Sequence, residues 1–198
     1  MIYRFLGDSH AERVGFWYPE KADLTLHLGD LGLGFRNFNR ETVFTGIDGF
    51  IRGNHDSPEE CRAHPLYLGD YGYKHGVFFL SGAWSIDQYR RREGISWWKD
   101  EQLSMEDLTN AVTLYEATKP DIVISHDAPF GIIEHMNMPR LINGPVKPTQ
   151  TTLALMTMLQ IHRPAIWVFG HWHFNRTANI DGTQFYCVAA NDKLDLSL

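Results

Sequence analysis

Gly49-Phe50-Ile51-Arg52-Gly53 runs as a short apolar strand and stops abruptly at Asn54-His55-Asp56, three side chains suited to holding metals or moving protons. Four other segments share that design. Ile2-Tyr3-Arg4-Phe5-Leu6-Gly7 leads into Asp8-Ser9-His10, and Leu24-Thr25-Leu26-His27-Leu28-Gly29 into Asp30. Ile122-Val123-Ile124-Ser125 leads into His126-Asp127, and Ala165-Ile166-Trp167-Val168-Phe169-Gly170 into His171-Trp172-His173. In an open α/β sheet, functional groups collect just outside the carboxyl ends of the strands. Strand ends bearing Asp, Asn and His can therefore meet in one place, and such a meeting predicts a two-metal centre and phosphoryl chemistry.

The remaining chain supports a mixed α/β architecture. Strands are expected near 2–7, 24–28, 47–52, 77–82, 121–125, 165–169, 174–180 and 183–189. Helices are expected near 10–17, 58–64, 100–118 and 149–162. Ser57-Pro58-Glu59-Glu60 has the capping Ser, early Pro and acids of a helix start. Lys119-Pro120 and Arg163-Pro164 close the two later helices. Asp181-Gly182 reads as a hairpin turn between the last two of these strands. Residues 83–99, rich in Trp, Tyr and Arg, and residues 128–148, with four prolines, are expected to be loops over the strand ends. The mixture predicts a two-layered sheet core with helices outside, and residues 1–198 read as one domain without repeat or linker.

With 198 residues, 43% of them hydrophobic and 21% charged, the composition is that of a soluble globular protein. No apolar run reaches the roughly 18 residues of a membrane span. Arg4 and Asp8 in the first run speak against a secretory signal. Cys61 and Cys187 lack any CxxC spacing, which fits neither a disulfide framework nor a zinc ribbon. A cytoplasmic location is the expectation. The net charge of −6 and pI of about 5.9 argue against extensive duplex-DNA binding. They leave room for a phosphate substrate, because bound cations can make a cleft locally positive inside an acidic protein.

Asp8-x-His10 offers a carboxylate and an imidazole two residues apart, on one face of an extended chain and within reach of one ion. His171-x-His173 has the same spacing. Asp30 has two oxygens and can bridge two ions, and Gly29 before it allows a sharp turn. Asn54 supplies an amide oxygen and His126 another imidazole. This mixed N/O set suits manganese, iron, zinc or nickel, and manganese is the first expectation; magnesium suits four imidazoles less well.

The series Asp8-x-His10, Gly29-Asp30, Gly53-Asn54-His55-Asp56, His126 and Gly170-His171-x-His173 resembles the calcineurin-like metallophosphoesterase superfamily. The resemblance implies a four-layer αββα sandwich of two mixed β-sheets flanked by helices, with two divalent metal ions at the strand ends. It implies that Asp8, His10 and His173 bind the first metal, that Asp30 bridges, and that Asn54, His126 and His171 bind the second. His55 would be the catalytic histidine and Asp56 its orienting partner. A metal-bridging hydroxide would then attack phosphorus while His55 protonates the departing alkoxide.

Within that superfamily, Gly29-Asp30-Leu31-Gly32-Leu33-Gly34 lacks the Asp and Arg that follow the second motif of protein phosphatases. The chain is also shorter than the multidomain repair nucleases. What remains resembles the compact phosphodiesterases and phosphomonoesterases. The leading expectation is a phosphodiesterase acting on a small nucleotide, a cyclic nucleotide or a short nucleic acid, whose bases Trp and Tyr could stack. A broad phosphomonoesterase is the second reading. An inactive binding scaffold, as in the retromer subunit, is the third, disfavoured by the intact ligand positions.

Arg52 could contact phosphate or form a structural ion pair. Asp127 could tune His126 or cap a turn, and Trp172, between two ligands, should pack in the core. His27 lies within a strand and is expected to be packed; His64, His75 and His162 are expected on the surface or in loops, and His135 could approach substrate. Arg90-Arg91-Arg92 reads as a solvated face, with a substrate lid or a contact in a homo-oligomer as alternatives.

Overall fold

Buried strands dominate the fold because the apolar runs are hydrophobic at consecutive positions, as strands covered on both faces must be. The protein is described by a computed structural model covering residues 1–11, 21–35, 44, 46–138 and 146–198. One sheet holds β1 (Ile2–Leu6), β2 (Leu24–His27), β3 (Gly49–Phe50) and β10 (Lys193–Ser197), in the order β10-β1-β2-β3. The other holds β4 (Tyr71–Lys74), β5 (Val77–Leu80), β6 (Ile122–Ser125), β7 (Ile166–Phe169), β8 (Arg176–Ile180) and β9 (Thr183–Cys187), in the order β4-β5-β6-β7-β9-β8. Both sheets are mixed. Their interior pairs run parallel, while β10, β4 and β8 attach antiparallel at the edges.

Side-chain alternation sorts the core into layers. Phe5, Leu26 and Ile51 of the first sheet meet Val77, Phe79, Ile124 and Val168 of the second in one cluster between the sheets. The alternate residues Phe78, Leu80, Val123, Trp167 and Phe169 face the other way. They pack against helices α2 (Met105–Thr118), α3 (Phe130–His135) and α4 (Gln150–Ile161) through residues such as Tyr115, Ile133 and Leu155. On the outer face of the first sheet, Leu6 and Phe50 pack with Leu31, Leu33 and Cys61 of helix α1 (Pro58–Arg62). No helix among the described residues is long and apolar enough to cross a membrane.

The helix signals operate as the sequence implies. Ser57 caps α1 through Glu60 N, and Pro58 occupies its first turn. Thr149 and Thr152 form a reciprocal capping box on α4. Lys119 ends α2 in the left-handed conformation, with φ of 42°. Asp181 and Gly182, both at positive φ, make the two-residue turn joining β8 to β9.

Several boundaries differ from expectation. Helix α2 starts at Met105, capped by Ser104, rather than near residue 100. The strand expected over 47–52 is only Gly49–Phe50. β4 and β10 were not foreseen, since half-exposed, polar-spaced edge strands carry a weak apolar signal. Helix α3 lies inside the stretch expected to be a loop. The helix expected over 10–17 falls on residues 12–17, outside the described residues, beyond the turn at His10-Ala11.

Candidate metal centre

Parallel pairing delivers the candidate ligands to one rim. Leu6 pairs with His27, and His27 with Phe50, so β1, β2 and β3 stop nearly level and release Asp8, Asp30 and Asn54 on the same side. In the second sheet Ser125 pairs with Phe169, which sets His126 beside the His171–His173 turn. Backbone bonds tie the turns within each rim, and one amide-to-carboxylate bond joins the two rims. Ser9 N and His10 N both donate to Asp30 O, at 3.0 and 2.8 Å, and Gly170 N donates to His126 O at 3.1 Å. His171 N donates to Asp8 Oδ1 at 3.1 Å.

His10, Asp30, His171 and His173 have φ of 48°, 54°, 65° and 56°. Side chains other than glycine seldom adopt this left-handed region, which costs roughly 1–3 kcal/mol per residue and clusters at functional sites. The turns therefore re-aim the donors, and simple alternation along an extended chain does not apply. His171 and His173, two residues apart, accordingly join different groups. His173 sits with Asp8 and His10, whereas His171 sits with Asp30 and His126. A third group holds His10, Asp30 and His55. Two glycines make the approach possible. A Cβ on Gly53 would collide with Asp30 Oδ1, and one on Gly170 would lie 2.5 Å from Asp8 Oδ1.

The donor atoms face one another closely. His10 Nε2 and His173 Nε2 are 3.0 Å apart. Asp8 Oδ2 is 3.0 Å from His173 Nε2 and 3.9 Å from His10 Nε2. Asp8 is fully buried, yet its Oδ2 makes no aligned hydrogen bond among the described residues. His126 Nδ1 lies 2.7 Å from the Leu28 carbonyl oxygen and must donate to it. Its Nε2 then points at two oxygens, Asn54 Oδ1 at 3.2 Å and Asp30 Oδ1 at 3.5 Å. Lone pairs that converge on one point need a positive centre between them, either a proton or a metal ion.

The electrostatics express that need. Burial disfavours the charged form of Asp30, but His126 and His55 override it and hold the carboxyl well below its usual range. Asp8 is held low in the same way, against burial, by His173 and His126. His126 is itself pushed up to about 10, because the Asp30 carboxylate outweighs the burial that opposes its charge. Two buried carboxylates held below their usual range, beside four imidazoles, form a donor set that fits divalent transition ions.

Asn54 is aimed by a chain of bonds that no sequence spacing announces. Its Nδ2 donates to Ser85 Oγ at 2.9 Å, and Ser85 Oγ donates to Glu101 Oε2 at 2.5 Å. Ser85 N donates to the other Glu101 oxygen at 2.9 Å. This fixes the amide so that Oδ1 faces His126. Asp127 likewise joins two ligand turns, accepting from Ala128 N and from the indole of Trp172, which is core-packed as expected.

Two expected roles need correction. Asp56 does not reach His55. Its carboxylate accepts from Gly32 N and Leu33 N through Oδ1, at 2.7 and 3.0 Å, and from Gly53 N through Oδ2, at 2.8 Å. It latches two ligand loops together, and His55 Nδ1 is buried without a hydrogen-bond partner among the described residues. Arg52 is fully buried and turned away from the rim, with Nε on Asp70 at 2.9 Å and Nη1 on the Glu101 carbonyl at 2.6 Å. It is the structural ion pair rather than a phosphate contact. His55 Nε2 instead meets Arg91 Nη2 at 3.3 Å. Burial drives His55 down to about 4, against the pull of Asp30 and with help from Arg91. His27 is packed within β2, also depressed to about 4 by burial.

Comparison with known proteins agrees with this geometry. The calcineurin-like phosphoesterase family profile matches residues 5–175, and the chain belongs to that family. No match is found among curated proteins. Among solved structures, a phosphopantetheinyl hydrolase from Mycobacterium tuberculosis aligns with a TM-score of 0.52 at 13% identity, over 96% of this chain and 89% of that one. A candidate 5'-nucleotidase from Staphylococcus aureus, solved with alpha-ketoglutarate, aligns with a TM-score of 0.50 at 14% identity, over 99% of this chain and 50% of that one. A predicted phosphoesterase from Streptococcus pneumoniae aligns at 0.43 and 13% identity, over 99% and 83%. The first two likenesses extend to the fold alone. The family implies divalent metal ions, and the clustered His and Asp side chains can hold them.

Proposed function

We propose that the chain is a di-metal-dependent phosphoester hydrolase acting on a small phosphodiester such as a nucleotide, a cyclic nucleotide or a short oligonucleotide. The observation that carries this is the placement of Asp30, which falls in a group with His10 and His55 on one side and with His126 and His171 on the other. Asp8, His10 and His173 would hold one ion, Asn54, His126 and His171 the other, and Asp30 both. Ions bound there would supply a water ionised near neutral pH and neutralise charge on the phosphoryl oxygens.

The chain's own residues do the rest. The backbone bonds that fix the Asp8 and Asp30 turns keep both carboxylates from swinging out to solvent. The Ser85–Glu101 pair holds the Asn54 oxygen toward the centre. His55, with Nε2 4.0 Å from Asp30 Oδ2, would protonate the departing oxygen, taking up the proton when the negative charge of a bound phosphoryl group offsets the burial and Arg91 that hold it at about 4. An aromatic wall borders this position. Phe35 lies 6.3 Å from His55 and stacks on Trp98 at 6.0 Å with 14° between planes. Half-buried rings beside a phosphoryl site suit a nucleobase, since base stacking on aromatics is worth roughly 1–3 kcal/mol.

The test is hydrolysis of bis-p-nitrophenyl phosphate and p-nitrophenyl phosphate with Mn²⁺, followed by cyclic nucleotides and dinucleotides. Diester preference is expected. A strong monoester preference would replace this reading with a phosphomonoesterase, and no turnover with two ions bound would replace it with a binding scaffold.

A further inference from the structure

The segment between β5 and α2 folds over His55. Its 3₁₀ turn, Gln88–Arg90, is followed by Arg91, the member of the three-arginine run that turns toward the site. Arg90 lies over the Tyr89 ring at the surface, and Arg92 is exposed. We infer that Arg91 grips the phosphoryl group of the substrate beside His55, an inference that rests on the phosphoesterase reading and deepens it.

Three features of its setting support this. The guanidinium is held rigidly from behind: Nε donates to Asp87 Oδ1 at 2.8 Å, and Nη2 lies 2.7 Å from Asp87 Oδ2, one helical turn apart in sequence. Nη1 approaches the Ser96 carbonyl at 3.4 Å. The second N–H of Nη2 is not taken by Asp87 and points at His55 Nε2, 3.3 Å away. That N–H is therefore presented where a phosphate oxygen meets the general acid. The side chain is about a quarter exposed, so the position is open to a ligand. Arginine binds phosphate with geometric specificity, through paired N–H groups that suit its oxygens. The pairing with Asp87 makes the arm pre-organised, so little ordering accompanies binding.

The decisive measurement is binding of inorganic phosphate to the Mn²⁺-loaded protein by calorimetry, alongside KM and kcat for bis-p-nitrophenyl phosphate. Arg91→Gln is expected to weaken phosphate binding and raise KM by roughly tenfold or more, as loss of a charged hydrogen bond does. kcat is expected to change less than KM, and the melting temperature to stay put. Unchanged phosphate affinity in Arg91→Gln overturns the inference. If wild-type protein binds phosphate but turns over no ester, the hydrolase reading fails while the phosphate comparison still decides Arg91. A second measurement uses the wild-type protein only: phosphate should protect Arg91 from phenylglyoxal more than it protects Arg90 or Arg92, as mapped by peptide mass. Equal modification of all three with and without phosphate also overturns it.

Discussion

Asp30 concentrates the demands of the site in one side chain. Its carboxylate is buried, its backbone is left-handed, and its oxygens reach toward histidines from both sheets. Asp30→Asn is expected to lower metal content at both positions together, measured by plasma emission on dialysed protein; loss of a single ion would refute the bridging role. His55 has a different profile, since Nε2 faces Arg91 and Nδ1 has no hydrogen-bond partner among the described residues. His55→Ala is expected to keep both ions and lose about 10²–10⁴-fold in rate on esters with poor leaving groups. Its deficit should shrink when the leaving group is p-nitrophenolate, which departs without a proton. Equal losses across leaving groups would argue against proton donation.

At the scale of the elements, the ligands are only as well placed as the turns that carry them. Glu101 precedes α2 and touches no ligand, yet it holds Ser85, which holds Asn54. Glu101→Ala is expected to weaken the Asn54-containing ion site by roughly 10–100-fold, the usual cost of losing an outer partner. The ion held by Asp8, His10 and His173 should stay bound, and titration with a chelator-buffered metal separates the two. The strands carrying the candidate ligands were legible in sequence because largely apolar runs, most clearly Ile122–Ser125 and Ile166–Phe169, each end at polar candidate ligands. β4 and β10 were not, because Tyr71-Gly72-Tyr73-Lys74 and Lys193-Leu194-Asp195-Leu196-Ser197 become strands only by pairing with β5 and β1. The candidate ligands, six of which the fold brings into shared clusters, were proposed from sequence because their residue types are rare in combination. Arg91, Ser85 and Glu101 could not, since each matters through a contact made across more than fifteen residues of chain or through a turn that redirects it. The Asp56 assignment failed for a related reason: adjacency to His55 in sequence says nothing about which backbone amides a buried carboxylate will choose.

For the whole molecule, the first and last strands close the smaller sheet. β10 lies antiparallel on β1, and Met1 and Leu198 exchange backbone bonds at 2.9 Å. Arg4 grips Asp195 in a two-point pair at 2.7 and 2.8 Å. Arg4 and then Lys193 hold the Asp195 carboxyl down at about 2, against partial burial. A depressed acid contributes stability above its unfolded value near 3.8 and loses it as pH falls toward 2. Urea titrations at pH 5 and pH 3 should therefore show a smaller loss of stability on acidification in Asp195→Asn than in the wild type. An equal loss would mean that the pair is screened to insignificance. The left-handed turns at His10, Asp30, His171 and His173 carry one more consequence. Backbone amides hold them from behind, His10 N on the Asp30 carbonyl and His171 N on the Asp8 carboxylate, so the rim is expected to keep its shape when metal is removed. Chelation should then leave the circular dichroism spectrum intact, and a spectroscopic reporter such as cobalt could be exchanged into the finished protein without passing through an unfolded chain.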